Sequence, residues 1–172
     1  MASEGINGHL AGTSESIAEY CRLNDQPGSI FNGIQYKLSK SELDPFEGEL
    51  FARSATEITS AGPQMALSKP SALGGDGGTH LSPSDFHEAV KRCQKPSLPT
   101  GRRQVLIDTR NHYETAVGVF KGAIDPKIRT FAQFPSWVSA NEDLLKDSDI
   151  YMYCTGGIRC EKASTYLKSL GV

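Results

Sequence analysis

Apolar positions in this chain come in short runs separated by glycine-, proline- and serine-rich stretches, and the second half alternates between two kinds of run. Val105, Leu106 and Ile107 form an uninterrupted apolar triplet ending at Asp108-Thr109-Arg110, which predicts a buried strand. Ile150, Tyr151, Met152 and Tyr153 carry no charge and predict a second short buried strand. Ala163, Tyr166, Leu167 and Leu170 share one helical face, predicting a helix over 161–170. Ahead of the first strand, Ser82 suits an N-cap, Pro83 the first helical position, and Asp85 lies three residues on from the cap. That helix runs to about Cys93. Glycines at 118 and 122 predict a turn into a short strand near Ile124, and residues 131–145, around Trp137, predict one or two short helices. Strands alternating with helices predict a parallel sheet flanked by helices, with its functional loop at the strand carboxyl ends.

The first half reads differently. Residues 6–11 form a candidate strand, and Thr13 opens a helix containing Ile17, Ala18, Tyr20 and Cys21. Residues 34–38 alternate apolar and polar as a half-buried strand does, and residues 50–59 supply another candidate. This β-α-β-β run fits part of a ferredoxin-like (acylphosphatase-like) α/β sandwich that lacks its opening β-α unit. Residues 62–78 are loose and rich in Gly, Pro and Ser, as linkers are. The expected organisation is a partial N-terminal domain over 1–68, a linker over 69–79 and a second domain over 80–172.

Composition narrows the class. An apolar share of 38% with 22% charged residues is that of a globular domain, and no apolar run approaches the length of a membrane span. Residues 1–68 carry four basic residues against nine acidic ones, and the remainder carries fourteen against eleven. The basic half permits an anionic substrate or RNA without the strong positive footprint of a dedicated nucleic-acid binder. Cys21, Cys93, Cys154 and Cys160 have no framework spacing, so reduced thiols are expected. With no CxxC pair and four isolated histidines, no metal site and no bound cofactor are expected.

The chemistry concentrates in Cys154-Thr155-Gly156-Gly157-Ile158-Arg159, between the predicted strand and the predicted helix. Backbone N–H groups of such a loop and the helix N-terminus favour an anion, and Arg159 adds a full positive charge. All three favour a thiolate, so Cys154 is the candidate nucleophile. Thr155, Gly156, Gly157 and Ile158 complete the anion- or sulfur-binding loop, the glycines allowing positive φ and close approach of a ligand. Arg159 either faces the loop or packs over the domain surface; a cation beside a helix N-terminus is unfavourable, which favours a functional role. Cys160 reads as a small buried helix residue, with a resolving-thiol role as the alternative. Asp108 and Arg110 sit at the neighbouring strand end and read as a structural pair within reach of the loop. Glu114 reads as a structural acid, and the histidines as surface or capping residues. Arg129, Phe131, Phe134 and Trp137 read either as a nucleobase platform or as core.

The six-residue loop from Cys154 to Arg159 resembles the active-site loop of the rhodanese superfamily; cysteine phosphatases need one more residue to encircle a phosphate. Tyr153-Cys154-Thr155-Gly156-Gly157-Ile158-Arg159-Cys160-Glu161-Lys162-Ala163 resembles the tRNA uridine hydroxylase branch of rhodanese-domain proteins. Glu4-Gly5-Ile6-Asn7-Gly8, Ile107-Asp108-Thr109-Arg110-Asn111, Gly118-Val119-Phe120-Lys121-Gly122-Ala123-Ile124 and Arg129-Thr130-Phe131 agree with it in order along the chain. The resemblance implies a rhodanese domain over 80–172 and oxygen-dependent conversion of the wobble uridine of tRNA to 5-hydroxyuridine. It further implies Cys154 as the catalytic residue, molecular oxygen as co-substrate and tRNA as partner. Sulfur transfer from thiosulfate or a persulfide donor to a thiol acceptor uses the same loop and is the alternative. A non-catalytic rhodanese-fold interaction module is the other. The resemblance also implies truncation at both ends: a β-α unit is expected before Gly5, and a strand, a Lys-Gly-Gly motif and a helix after Val172. A cytoplasmic location is expected, or an organelle if the full-length chain carries a transit peptide.

Overall fold

The computed structural model describes residues 2, 5–34, 36–42, 46, 48, 50–66, 77–94 and 101–172. The chain divides into two compact units, one spanning Ile6–Ser54 and the other Ala2–Gly5 with Ala55–Val172.

In the first unit Thr13 starts helix α1 (Ser14–Asn24), its hydroxyl accepting the Ser16 N–H at 3.1 Å. Tyr20 packs edge-on against Tyr36 at 6.1 Å between ring centroids, but α1 buries no residue. Among the described residues of 6–11, 34–38 and 50–59 no strand forms, and Gln35 lies outside them, so these three strand expectations are corrected. The reason is visible in their side chains and backbone. Leu38, Leu50 and Phe51 are largely exposed, and an extended segment persists as a strand only where a neighbour takes its backbone hydrogen bonds and covers one face.

The second unit holds the sheet. Residues 62–66, expected as the start of a linker, instead form a short helix α2 (Pro63–Ala66) whose Met65 is buried in the core with Ala61. Residues 67–76 of that stretch, and 95–100 of the polar loop before the first strand, lie outside the described residues. Helix α3 (Pro83–Cys93) has the expected start and end, with Ser82 Oγ accepting the Asp85 N–H at 3.2 Å. Strand β1 (Arg103–Asp108) leads to the short helix α4 (His112–Thr115). A parallel bridge at Ile124 follows, then a 3-10 turn (Phe131–Gln133), α5 (Phe134–Ala140) and α6 (Glu142–Leu145). Strand β2 (Ser148–Tyr153) pairs with β1 in parallel, Asp108 opposite Tyr153, and helix α7 (Ile158–Ser169) closes the run.

Register sorts the side chains. Val105 and Ile107 point into a core built from Phe131, Phe134, Val138, Leu145, Ala163, Tyr166 and Leu167, with Ile150 and Met152 packed against it. The opposite face carries Tyr151 and Tyr153 towards α3, where Phe86 meets Tyr153 at 6.0 Å and Arg92 donates to the Tyr151 hydroxyl at 3.2 Å. β1 is flanked on both sides, by β2 and by Ile124, and is buried from Val105 to Asp108. β2 is only half-buried, because its outer edge has no described strand beside it. The expected parallel arrangement is therefore present as a small mixed α/β layer with helices around it. Phe131 and Phe134, stacked at 5.7 Å, are core residues rather than a nucleobase platform, and Trp137 packs on Phe134 at the same spacing.

Candidate active site

Parallel pairing puts the carboxyl ends of β1 and β2 side by side, so the chain leaving Asp108 and the chain leaving Tyr153 emerge together. Thr109 reinforces the junction: its backbone N–H and its hydroxyl both donate to the Tyr153 carbonyl, at 3.0 and 3.1 Å. Cys154 comes next. Gly157, at φ +93°, caps α7 in a left-handed conformation, turning the loop so that its N–H donates to Cys154 Sγ at 3.0 Å. Of the two loop glycines only Gly157 uses positive φ. Helix α7 thus begins at Ile158, three residues earlier than the apolar pattern predicts, because the glycine turn rather than the buried stripe sets its start.

The thiol of Cys154 is held down to about 5. A hydrogen bond from the Cys160 thiol is the largest cause; burial opposes it, and the N–H groups of Cys160, Gly157 and Arg159 assist it. Cys160, on the first turn of α7, is pushed far up in return, chiefly by that same bond and then by burial. Its sulfur also lies 3.5 Å from Thr109 Oγ1. At neutral pH the pair is one thiolate and one thiol, with the negative charge on Cys154.

Arg159 faces the loop and reaches the Cys154 sulfur, yet its fork is taken by Glu114. Nη1 and Nη2 donate to the two carboxylate oxygens at 2.6 and 2.8 Å, and the Glu114 carboxyl is held down to about 2, first by these bonds. Thr155 donates to the same carboxylate at 3.1 Å, and Asn111 N–H does so at 3.1 Å. Arg110 makes the second pair, with the fully buried Asp108: Nε and Nη2 donate to its oxygens at 2.9 and 2.6 Å, and Nη2 also donates to the Gly118 carbonyl at 2.7 Å. Both site arginines are therefore matched by carboxylates.

A depression of about 450 Å³ opens beside the sulfur, lined by Tyr153, Cys154, Thr155, Arg110 and residues 118–120. Tyr153 joins its parts. Its hydroxyl accepts the Phe120 N–H at 3.1 Å, its ring meets Phe120 at 4.7 Å, and Arg110 lies over its face at 5.6 Å. Burial first, and donation to Asp108 second, push the phenol up to about 12.

Of the residues expected at the site, the structure gathers Cys154, the 155–159 loop, Cys160, Asp108 and Arg110. Arg129 is exposed on the approach to the 3-10 turn, its N–H donating to Gln133 Oε1 at 2.7 Å. Sequence reasoning passed over Phe120, Thr109 and the Tyr153 hydroxyl; the pairing of Asp108 with Tyr153 is the relation that brings them in. It also took Lys162 for a motif position only. Lys162 is buried in α7, where Nζ contacts Glu57 at 3.3 Å and the Thr59 carbonyl at 3.2 Å. Among the described residues no group of three metal-ligating side chains converges. Nor is any helix there long and apolar enough to cross a membrane.

Fold and loop together define an α/β protein with an activated cysteine at the carboxyl edge of a parallel strand pair. No family profile matches the chain. Individual proteins do. Over 173 residues, 99% of this chain, it is 39% identical to a tRNA uridine(34) hydroxylase of Mesorhizobium japonicum, covering 50% of that protein. It is 40% identical over 172 residues to the tRNA uridine(34) hydroxylase of Sinorhizobium medicae, covering 49% of it. For that of Jannaschia sp. the figures are 39% over 173 residues and 52%. The chain is homologous along its length to proteins of this name, which bears out the resemblance in its motifs, and it spans about half the length of the curated relatives it matches.

Proposed function

We propose that this chain carries the cysteine centre of a tRNA uridine hydroxylase, converting the wobble uridine to 5-hydroxyuridine with molecular oxygen as co-substrate. The observation that carries the reading is the Cys154 thiolate, set by the loop N–H groups and Cys160, in a chain similar throughout to proteins named for that activity. In this reading the second unit is a rhodanese domain, the first part of a ferredoxin-like one, and tRNA is the partner in the cytoplasm. The thiolate is a soft nucleophile matched to the electron-poor C6 of a uracil ring. Addition there forms the S–C6 bond and moves the C5–C6 electron pair onto C5, the carbon to be hydroxylated. Once C5 bears oxygen, loss of its proton expels the thiolate and restores the C5–C6 bond, the second oxygen atom of O2 leaving as water with two electrons and two protons from an external reductant.

The pairing of both arginines supports this reading over sulfur transfer. A thiosulfate dianion calls for uncommitted positive charge, and here the two guanidiniums that line the site already hold Glu114 and Asp108. The test is nucleoside analysis of tRNA from cells whose only copy of the full-length protein carries Cys154→Ser. Loss of 5-hydroxyuridine is expected; an unchanged profile overturns the assignment. Mass spectrometry of the wild-type protein after incubation with thiosulfate separates the alternative, which requires added sulfur on Cys154.

A further inference from the structure

We propose that Phe120 is the stacking platform on which the substrate's base rests beside Cys154, an inference that rests on the tRNA reading above and adds to it the residue that receives the base. Four observations meet at this side chain.

Phe120 lines the same depression as the nucleophile, and the residue is 48% exposed. An apolar ring left half in water at the rim of a reactive site leaves apolar surface for a flat partner to cover. The ring is fixed, not loose. It meets Tyr153 in a T-shaped contact at 4.7 Å and lies tilted against Phe86 at 5.8 Å between ring centroids, and its backbone N–H donates to the Tyr153 hydroxyl. Because Tyr153 directly precedes Cys154, these contacts tie the position of the ring to that of the sulfur.

Two residues earlier, the Gly118 carbonyl is held by Arg110, so the 118–120 segment is pinned at both ends. A preordered aromatic loses little freedom when a base stacks on it.

Charge selects the kind of ligand. Arg110, which lines the depression, is paired with Asp108, and Arg159 beside the loop with Glu114, while Cys154 itself favours the thiolate, so an uncharged ring is favoured over an anion. Lys121, next along the chain, is exposed and supplies a cation in the segment that carries the ring. An exposed aromatic with a cation beside it is how proteins hold single-stranded or flipped-out bases, and truncating such an aromatic weakens binding by roughly ten- to a hundredfold.

The test uses the full chain and two RNA hairpins, one with a uridine in its loop and one with an abasic residue at that position. Phe120→Ala is expected to weaken binding of the uridine hairpin roughly ten- to a hundredfold and to leave the abasic one unchanged, while Phe120→Tyr retains wild-type affinity. In Phe120→Trp, indole fluorescence is expected to be quenched by the uridine hairpin and not by the abasic one. The pH profile of Cys154 alkylation should be the same in wild type and Phe120→Ala; a displaced profile would show Phe120 acting through the loop and overturn the platform role. Equal losses on both hairpins, or none, overturn it as well and point to a backbone or protein contact on this face. Failure of the wild-type chain to bind either hairpin counts against the tRNA reading itself.

Discussion

Gly157 donates its backbone N–H to Cys154 Sγ at 3.0 Å, and the Cys160 thiol, on the first turn of the helix that the loop introduces, is the neighbour that holds the Cys154 thiol down most. Together they assign the charge between two otherwise similar thiols. The Gly157 N–H reaches the Cys154 sulfur and favours the anion there, and Cys160 is raised because ionising it would place a second negative charge against the first. Replacing Cys160 by Ala removes the largest stabiliser. The alkylation midpoint of Cys154, expected at about 5 in the intact protein, should climb towards the ordinary thiol range near about 8.5, cutting the ionised fraction at pH 6 by roughly tenfold or more. Cys160→Ser, which keeps a donor, should stay closer to wild type. An iodoacetamide rate profile reads both, and coincident midpoints for Ala and wild type would refute the assignment.

The Glu114–Arg159 pair makes a separate prediction about acid stability. Its folded carboxyl lies below its ordinary value, so the contribution is complete above about 4.5 and is lost as pH falls towards about 2. Glu114→Gln is expected to lower stability at neutral pH by about 2–3 kcal/mol, since it strands a largely buried guanidinium. It should also flatten the stability profile across that acid window. Urea titrations at several pH values measure both; parallel profiles for the two proteins would sink the claim.

The two loop glycines should respond differently to a methyl group. At Gly157 a Cβ meets no neighbour, but φ +93° strains any L side chain, so Gly157→Ala is expected to cost about 1–2 kcal/mol. The same change should raise the Cys154 midpoint as the N–H swings away from sulfur. Gly156 has neither positive φ nor a crowding neighbour, so Gly156→Ala should leave folding stability within about 0.5 kcal/mol of wild type. Similar losses at both sites would contradict the division of roles.

Among the described residues Phe134 is the largest fully buried side chain, stacked against Phe131 and Trp137. Phe134→Ala is expected to destabilise the second unit by about 3–5 kcal/mol, as a cavity in the main core does. Arg129→Ala, on an exposed position, should change stability by no more than about 0.5 kcal/mol. A small effect at Phe134 would argue that these aromatics are not the core.

Local chemistry made much of this protein legible without coordinates. The Ser82-Pro83 start of α3, the β1 and β2 runs, the final helix and the loop between strand and helix are each written in a few adjacent residues, because caps, glycine turns and apolar periodicity act over short distances. For the same reason Cys154 could be singled out as the candidate nucleophile. The strands expected in residues 6–11, 34–38 and 50–59 failed because alternation describes what a strand can bury, not whether a partner exists to bury it.

What only the tertiary structure decided are relations between residues far apart in the chain. Pairing Asp108 with Tyr153 brought Thr109, Arg110 and Phe120 to the sulfur, and the fold gave Arg159 to Glu114, turning a free cation into half of a neutral pair. Which of two cysteines is ionised was decided there too. Charge and hydrogen bonding act through space, and the order of residues along the chain does not contain those distances.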